Sequence, residues 1–210
     1  MKSPLCYQAT CCDCGKASAI NAFMYLYERE DIPPMVIDYL ARVTGDGNLA
    51  VNGMLRGTSG SALAFVAAWC NNYLVKTGFP IRCQALAGDG EVSMAEGSPL
   101  LEGLRDGAVA ICGCRLFTDH YVLITGLEGE RGSERVRVFD PYYDTWPLQE
   151  MPADVEGIDM VWDQPFTHNR LIDRAVFDAP RGVPYSLSTV CGRDAVLLWN
   201  TAGKDGGGCA

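Results

Sequence analysis

Gln8-Ala-Thr-Cys-Cys-Asp-Cys-Gly15 runs directly into Lys16-Ala-Ser-Ala-Ile-Asn-Ala-Phe-Met-Tyr-Leu-Tyr27, and the junction between these two stretches decides the fold. The first stretch reads as a polar loop, and the second has the apolar spacing of a helix. Asp is a preferred N-cap residue because its carboxylate accepts a hydrogen bond from a free amide of the first turn. The sequence therefore predicts that Asp13 caps a helix that begins at Cys14 and extends to about Glu30.

This junction also carries the candidate nucleophile. A thiol in the first helical turn lies beside unpaired N–H groups and the positive end of the helix dipole, which lowers its pKa. Cys14 occupies that position, and Gln8 lies six residues upstream in the loop. An amide donor beside a thiolate is what acyl chemistry needs to hold an oxyanion. Asn21, two helical turns further on, is expected to hydrogen-bond near the same site.

A base and its orienting group are found much later in the chain. Only two histidines are present, and His120 stands near the start of a predicted strand, whereas Asp140 closes the next one. If the two strands pair antiparallel, the start of one lies beside the end of the other. The carboxylate would then orient the imidazole and stabilise its cationic form. Thiol, base and orienter together predict nucleophilic cysteine catalysis. His168 lies in a polar turn and is expected to be solvated.

The remaining pattern places helices first and strands afterwards, which predicts an α+β fold with an antiparallel sheet. Further helices are expected at Pro34–Val43, Ala62–Val75 and Ala95–Asp106, with a long surface loop over 44–58 and a helix or turn over Asn169–Phe177. The predicted strands are Phe79–Leu86, Ala108–Arg115, Asp119–Gly126, Arg135–Asp140, Gly157–Asp163 and Asp194–Asn200.

Composition limits the kind of protein this is. The 210 residues are 48% hydrophobic and 20% charged, which is typical of an ordered globular chain. A net charge of −9 argues against nucleic acid or an anionic membrane surface as a partner. No stretch is long and apolar enough for a membrane span, and the N-terminus lacks the apolar run of a signal peptide. We therefore expect a cytoplasmic protein.

The chain has ten cysteines, which we expect to be mostly reduced thiols. Three are interpreted as small buried hydrophobes: Cys70, Cys83 and Cys112. The N-terminal group of Cys6, Cys11, Cys12 and Cys14 lacks the paired spacing of a zinc site, so neither a metal nor another cofactor is predicted. A regulatory disulfide between Cys14 and either Cys11 or Cys12 is left open.

Taken together, Gln8-x5-Cys14 with Asp13-Cys-Gly15, His120-Tyr-Val and Asp140-Pro141 resembles the bacteriocin-leader (double-glycine) peptidase branch of the papain-like cysteine peptidases. The likeness is greatest to the stand-alone, leader-peptidase-like form, and it covers roughly residues 5–145. It implies a papain-like fold, with N-terminal helices packed on a twisted antiparallel sheet. It also implies Cys14 as nucleophile, His120 as general base, Asp140 as orienting acid and Gln8 as oxyanion donor.

The chain departs from that family after Asp140. We predict a papain-like catalytic domain over 1–150, a C-terminal extension over 151–203 packed on the same domain, and a flexible tail over 204–210. The compact peptidase domain lacks this extension, and many family members are fused to a transporter, so the peptide or amide substrate is left open. Three aromatic residues after Asp140 either line a substrate groove or pack against the extension: Tyr142, Tyr143 and Trp146.

Three functions are compatible with these residues. The leading hypothesis is a cysteine peptidase or amidohydrolase that cleaves a peptide or amide bond through an acyl-enzyme. An acyltransferase would use the same acyl-enzyme with an amine in place of water. A catalytically idle binding module would keep only the groove, and it has no reason to retain all four candidate residues.

Overall fold

A computed structural model of the protein describes residues 1–45, 57–116, 118–142, 156–180, 182–187 and 192–203. The fold is α+β with a seven-stranded antiparallel sheet, which confirms the predicted class and sheet type. The helices are α1 Cys14–Leu26, α2 Pro34–Val43, α3 Gly60–Trp69, α4 Pro99–Arg105 and α5 Arg174–Phe177. The strands are β1 Ile81–Ala87, β2 Val109–Arg115, β3 Asp119–Glu128, β4 Arg135–Phe139, β5 Ile158–Met160, β6 Arg170–Asp173 and β7 Asp194–Asn200.

The strand order in the sheet is β1-β7-β2-β3-β4-β6-β5. β7 comes last in the chain, yet it lies between β1 and β2 and pairs antiparallel with both. β6 pairs with β4, and β5 forms the outer edge beyond it. The residues predicted as a C-terminal extension therefore supply three strands of the same sheet, and the predicted tail over 204–210 lies outside the described residues.

Two apolar cores lie on opposite faces of the sheet. Helices α1, α2 and α3 pack on one face, where Phe23 and Leu63 are fully buried against β-strand residues such as Leu123. On the other face, α4 and α5 pack with Tyr185 against β2, β3 and β4. None of the helices in the described ranges has the length and apolar character needed to cross a membrane.

α1 begins at Cys14 as predicted but ends at Leu26, so the expected end near Glu30 is wrong. Tyr27 takes an extended backbone with φ −125° and ψ 161°, and its hydroxyl donates to the Pro80 carbonyl at 2.7 Å. The helix thus ends where the buried Tyr27 side chain makes its contact with Pro80. A short 3-10 turn, Arg29–Asp31, then leads to α2, whose bounds match the prediction.

The other helices begin where side-chain caps allow. Ser59 accepts a hydrogen bond from the Ala62 amide at 3.1 Å and starts α3 two residues before the predicted position. After Trp69 the chain continues as a π-helical turn, Cys70–Leu74, and not as α-helix. Ser98 caps α4 in the same manner, so that helix begins at Pro99 and the predicted start at Ala95 is wrong. Most of the loop predicted over 44–58 lies outside the described residues.

β6 is the element that sequence reasoning missed, because Asn169–Phe177 was predicted as a helix or turn and only Arg174–Phe177 is helical. Arg170 and Ile172 face inward on this strand, whereas Leu171 is half-exposed. A buried arginine hides the alternation of apolar and polar residues from which a strand is recognised. The strand predicted over Gly157–Asp163 is present but shorter, as β5.

Candidate active site

The N-terminus of α1 differs from the prediction in one contact. Asp13 is the N-cap residue, but its carboxylate makes no capping hydrogen bond. Its backbone, with φ −94° and ψ 7°, lacks the extended conformation that turns an N-cap side chain toward the first-turn amides. The carboxylate pairs instead with the Lys16 ammonium at 2.7 Å. The Asp13 carboxylate therefore accepts no hydrogen bond from the first-turn amides next to Cys14, and it does not cap the positive end of the helix dipole there.

Close packing holds the start of α1 against its surroundings. A Cβ atom added to Gly15 would lie 2.4 Å from the Thr58 Cβ, so only glycine allows the segment before α3 to approach this closely. Further along the helix, the Ser18 hydroxyl donates to the Tyr121 carbonyl at 3.2 Å. Cys14 is thereby held beside the start of β3, where His120 is located.

The predicted antiparallel pairing of the strands that carry the base and the acid is confirmed. His120 is the second residue of β3, and Asp140 directly follows Phe139 at the end of β4. The Asp140 Oδ1 atom lies 2.8 Å from His120 Nε2, and the imidazole is close enough to the Cys14 thiol to lower its pKa. Because Asp140 uses Nε2, Nδ1 is the ring nitrogen left to exchange a proton with the sulfur. Three side chains from three distant parts of the sequence are thus brought together in one site.

The electrostatics of the site favour a thiolate at Cys14 and an imidazolium at His120. Burial raises the pKa of Cys14, but the hydrogen bond and charge of His120 outweigh it and leave that pKa below its usual range. Burial favours a neutral His120, yet the charge and hydrogen bond of Asp140 raise the pKa of the ring to about 10. Burial likewise opposes the Asp140 carboxylate, and His120 still holds its pKa below the ordinary value. Each group stabilises the charged form of its neighbour.

Gln8 lies in the loop that precedes Cys14, and this loop also contacts the residue that follows Asp140. Its backbone amide donates to the Pro141 carbonyl at 2.8 Å, next to Asp140. Its side-chain amide donates to the Thr10 carbonyl at 2.9 Å, while the side-chain oxygen is buried without a partner among the described residues. One of the two amide hydrogens is therefore used within the loop, and the second is left for another acceptor.

The neighbouring thiols have a different environment from Cys14. Cys11 is exposed, and its sulfur lies 3.4 Å from that of Cys12. The hydrogen bond between Cys11 and Cys12, together with burial, raises the pKa of the Cys12 thiol. Neither thiol belongs to α1, and neither forms a disulfide with another of the described residues. The three cysteines predicted to be small buried hydrophobes, Cys70, Cys83 and Cys112, are buried.

Two predicted positions differ in the structure. Asn21 does not reach the site, because its side chain exchanges two hydrogen bonds of 2.8 Å with the backbone of Cys6 and so holds the N-terminal segment against α1. His168 is not solvated: its side chain is buried at 8% exposure and is hydrogen-bonded to the Thr167 hydroxyl at 2.8 Å. The polar residues around it suggested a surface turn, but the turn folds back onto the sheet.

Tyr142 is the one aromatic residue of the predicted groove that the structure describes, since Tyr143 and Trp146 lie outside the described residues. Its ring stands edge-on to the His120 ring, with 6.1 Å between the centroids. Its backbone amide donates to Asp140 Oδ1 at 2.8 Å. Tyr142 therefore borders the imidazole directly.

Sequence reasoning missed the residues that surround Asp140 from the C-terminal part of the chain. The Asn169 side chain exchanges two hydrogen bonds of 2.8 Å with the Asp140 backbone. The Tyr185 hydroxyl donates to Asp140 Oδ2 at 2.7 Å, and Arg170 Nε donates to that hydroxyl at 3.2 Å. None of these residues belongs to a recognisable motif, so only the tertiary structure reveals them.

Within the part of the chain that the structure describes, no cluster of three or more histidine, cysteine, aspartate or glutamate side chains has the arrangement of a metal site. No protein-family model matches the chain. A comparison with curated proteins and another with solved structures each found no significant match. The geometry at Cys14 is therefore what bears on function, and the papain-like assignment stays a prediction.

Proposed function

We propose that this protein is a cysteine peptidase or amidohydrolase that cleaves a peptide or amide bond through an acyl-enzyme on Cys14. The observation that carries the proposal is the position of the His120 ring, which is hydrogen-bonded to Asp140 Oδ1 at 2.8 Å and lies close enough to the Cys14 thiol to lower its pKa. The thiol at a helix N-terminus and the carboxylate-oriented imidazole form the pattern of an activated cysteine nucleophile. The family resemblance at the same positions supports the same reaction class.

The reaction follows from the charges at the site. The Cys14 thiolate attacks the amide carbonyl carbon, and the carbonyl oxygen becomes an oxyanion. The backbone N–H of Cys14, which has no acceptor within the helix, and the Gln8 amide stabilise that oxyanion. The His120 imidazolium gives its proton to the leaving amine as the C–N bond breaks. His120 then takes a proton from water, which attacks the thioester and releases the acid and the thiol.

Alkylation of the individual cysteines tests the activation of Cys14. A free cysteine is only about 0.3% thiolate at pH 6. Because the pKa of Cys14 is lowered, we expect iodoacetamide at pH 6 to label Cys14 faster than the exposed Cys6, as measured by peptide mass spectrometry. His120→Gln should remove this advantage. His168→Gln is the matched control, because it removes the other histidine and should leave the labelling unchanged.

Cleavage itself needs a second measurement. We expect the wild-type chain to cleave members of a mixed peptide library, and Cys14→Ser to cleave none of them. Fast labelling of Cys14 without any acyl adduct or cleaved peptide would favour the idle binding module. Labelling of Cys14 no faster than Cys6 at pH 6 would overturn the proposal. An added amine that competes with water for the adduct would change the assignment to acyl transfer.

A further inference from the structure

Asp140 has two carboxylate oxygens, and they face different partners. Oδ1 meets His120 Nε2 and the Tyr142 amide, each at 2.8 Å. Oδ2 accepts the Tyr185 hydroxyl at 2.7 Å. The carboxylate is only 1% exposed, so its hydrogen bonds come from the protein. The orientation of Asp140 therefore depends on a residue 45 positions later in the chain.

Tyr185 is itself held from both sides. Arg170 Nε donates to its hydroxyl at 3.2 Å, and Arg170 Nη1 donates to the Asn169 carbonyl at 2.8 Å. At the backbone, the Arg115 amide donates to the Ser186 carbonyl at 2.7 Å, which fixes this segment to the end of β2. The tyrosine and the arginine are both buried. The hydroxyl thus has one donor and one acceptor in a fixed line from Arg170 to Asp140.

The backbone conformation of Tyr185 indicates that the surrounding contacts fix the placement of this residue. Its φ of 65° lies in the left-handed region, and no other non-glycine residue among the described ranges has a positive φ. A bulky side chain seldom adopts this conformation, and it persists only where the surrounding contacts enforce it. The strained turn allows the ring to enter the core with its hydroxyl at Asp140.

We infer that Tyr185, held by Arg170, is a positioning residue of the candidate site, which keeps Asp140 Oδ1 directed at His120. The inference rests on the proposed function, because it assigns to the C-terminal part of the chain a share in activating Cys14. Tyr185 touches the orienting acid and not the reacting atoms. Residues outside the stretch that resembles a compact peptidase domain thereby hold the orienting acid of the triad in place.

Removal of the Tyr185 hydroxyl should lower the pKa of His120. In Tyr185→Phe, Asp140 Oδ2 loses its donor and Arg170 Nε loses its acceptor. A buried carboxylate and a buried guanidinium left without partners are costly, so they should turn toward each other. That rotation draws Oδ1 away from His120. The imidazolium then loses part of the interaction that raises its pKa.

The experiment is an NMR titration of the histidine rings in the full-length chain, which has only two histidines to assign. We expect His120 in Tyr185→Phe to lose its proton about one pH unit lower than in the wild type, since a close carboxylate shifts a partner by roughly 1–3 units. Tyr27→Phe is the matched control. It also removes a buried hydroxyl, one that donates to Pro80 at 2.7 Å at the opposite end of α1, and it should leave the titration unchanged.

Equal titration of His120 in the wild type and Tyr185→Phe would overturn the inference, as would the same shift in Tyr27→Phe. A wild-type measurement covers the case in which Tyr185→Phe does not fold: the Tyr185 hydroxyl proton should exchange slowly with water, and rapid exchange would contradict the inference. The labelling rate of wild-type Cys14 separates the two proposals. Fast labelling with an unchanged titration removes the role of Tyr185 alone, whereas slow labelling removes the proposed function.

Discussion

At the scale of single residues, the site depends on the imidazole of His120, which lies between the Cys14 thiol and the Asp140 carboxylate. The thiol is partly shielded at 8% exposure, and burial alone would keep it protonated. The imidazolium reverses this preference, and Asp140 in turn keeps the imidazole charged. Removal of either neighbour leaves a buried group whose neutral form is favoured. The three residues therefore act as a unit, and single substitutions should not have additive effects.

Gln8 allows this unit to be tested without a known substrate. Acylation of Cys14 by an activated ester develops an oxyanion, whereas alkylation by iodoacetamide does not. If Gln8 holds the oxyanion, Gln8→Ala should slow acylation by on the order of a hundredfold while alkylation is nearly unchanged. Mass spectrometry of the Cys14 peptide measures both rates. Gln84→Ala, at an exposed position of β1, is the control. A parallel loss of both rates would remove the oxyanion role and leave Gln8 as a structural residue.

At the scale of elements, the approach of α1 to the segment before α3 decides where the nucleophile lies. Gly15 lacks the Cβ that would collide with Thr58, and Thr58 donates to the Thr44 carbonyl at 2.6 Å. The start of α1 therefore packs against the segment before α3, and that segment is hydrogen-bonded to the residue that follows α2. The hydrogen bond from Ser18 to β3 holds its other side. These contacts place the first helical turn next to His120.

Gly15→Ala should therefore destabilise the protein, although alanine is the better helix former by about 1 kcal/mol. The added Cβ would lie 2.4 Å from the Thr58 Cβ, and overpacking of this kind costs about 1–3 kcal/mol. Denaturant unfolding gives the free energy. Gly90→Ala is the comparison, because an added Cβ there meets no atom within 4 Å, and its stability should not fall. Equal stability of Gly15→Ala and the wild type would show that the segment before α3 yields readily.

At the scale of the whole molecule, the last strand joins the two parts of the sheet. β7 pairs with β1 on one side and with β2 on the other, so β1 reaches the rest of the sheet only through it. Four consecutive large apolar residues of β7 are buried, Val196–Trp199. Burial of such side chains stabilises by about 1.5–3 kcal/mol each, or roughly 6–12 kcal/mol in total. That is comparable to the entire stability of a typical domain.

A chain that ends at residue 150, the predicted end of the catalytic domain, should therefore fail to fold. It lacks β7 as well as Tyr185, which donates to Asp140, and Arg170, which donates to Tyr185. Circular dichroism and thermal unfolding provide the measurement. A chain that ends at Gly203 is the control, because it retains all seven strands and should unfold at the wild-type temperature. A cooperative unfolding transition in the shorter chain would mean that residues 1–150 form an independent domain.

The local pattern of the sequence was sufficient for the α+β class, the start of α1 at Cys14, the bounds of α2 and the adjacency of His120 and Asp140. Each of these follows from interactions between residues close in sequence or from the pairing of consecutive strands. The insertion of β7 between β1 and β2, and the approach of Arg170 and Tyr185 to Asp140, were decided only by the tertiary structure. Contacts of this kind depend on which surfaces remain unpaired after the local elements form. A buried arginine on β6 or a tyrosine in a left-handed turn has no periodic signature, so its neighbours become apparent only when the chain is folded.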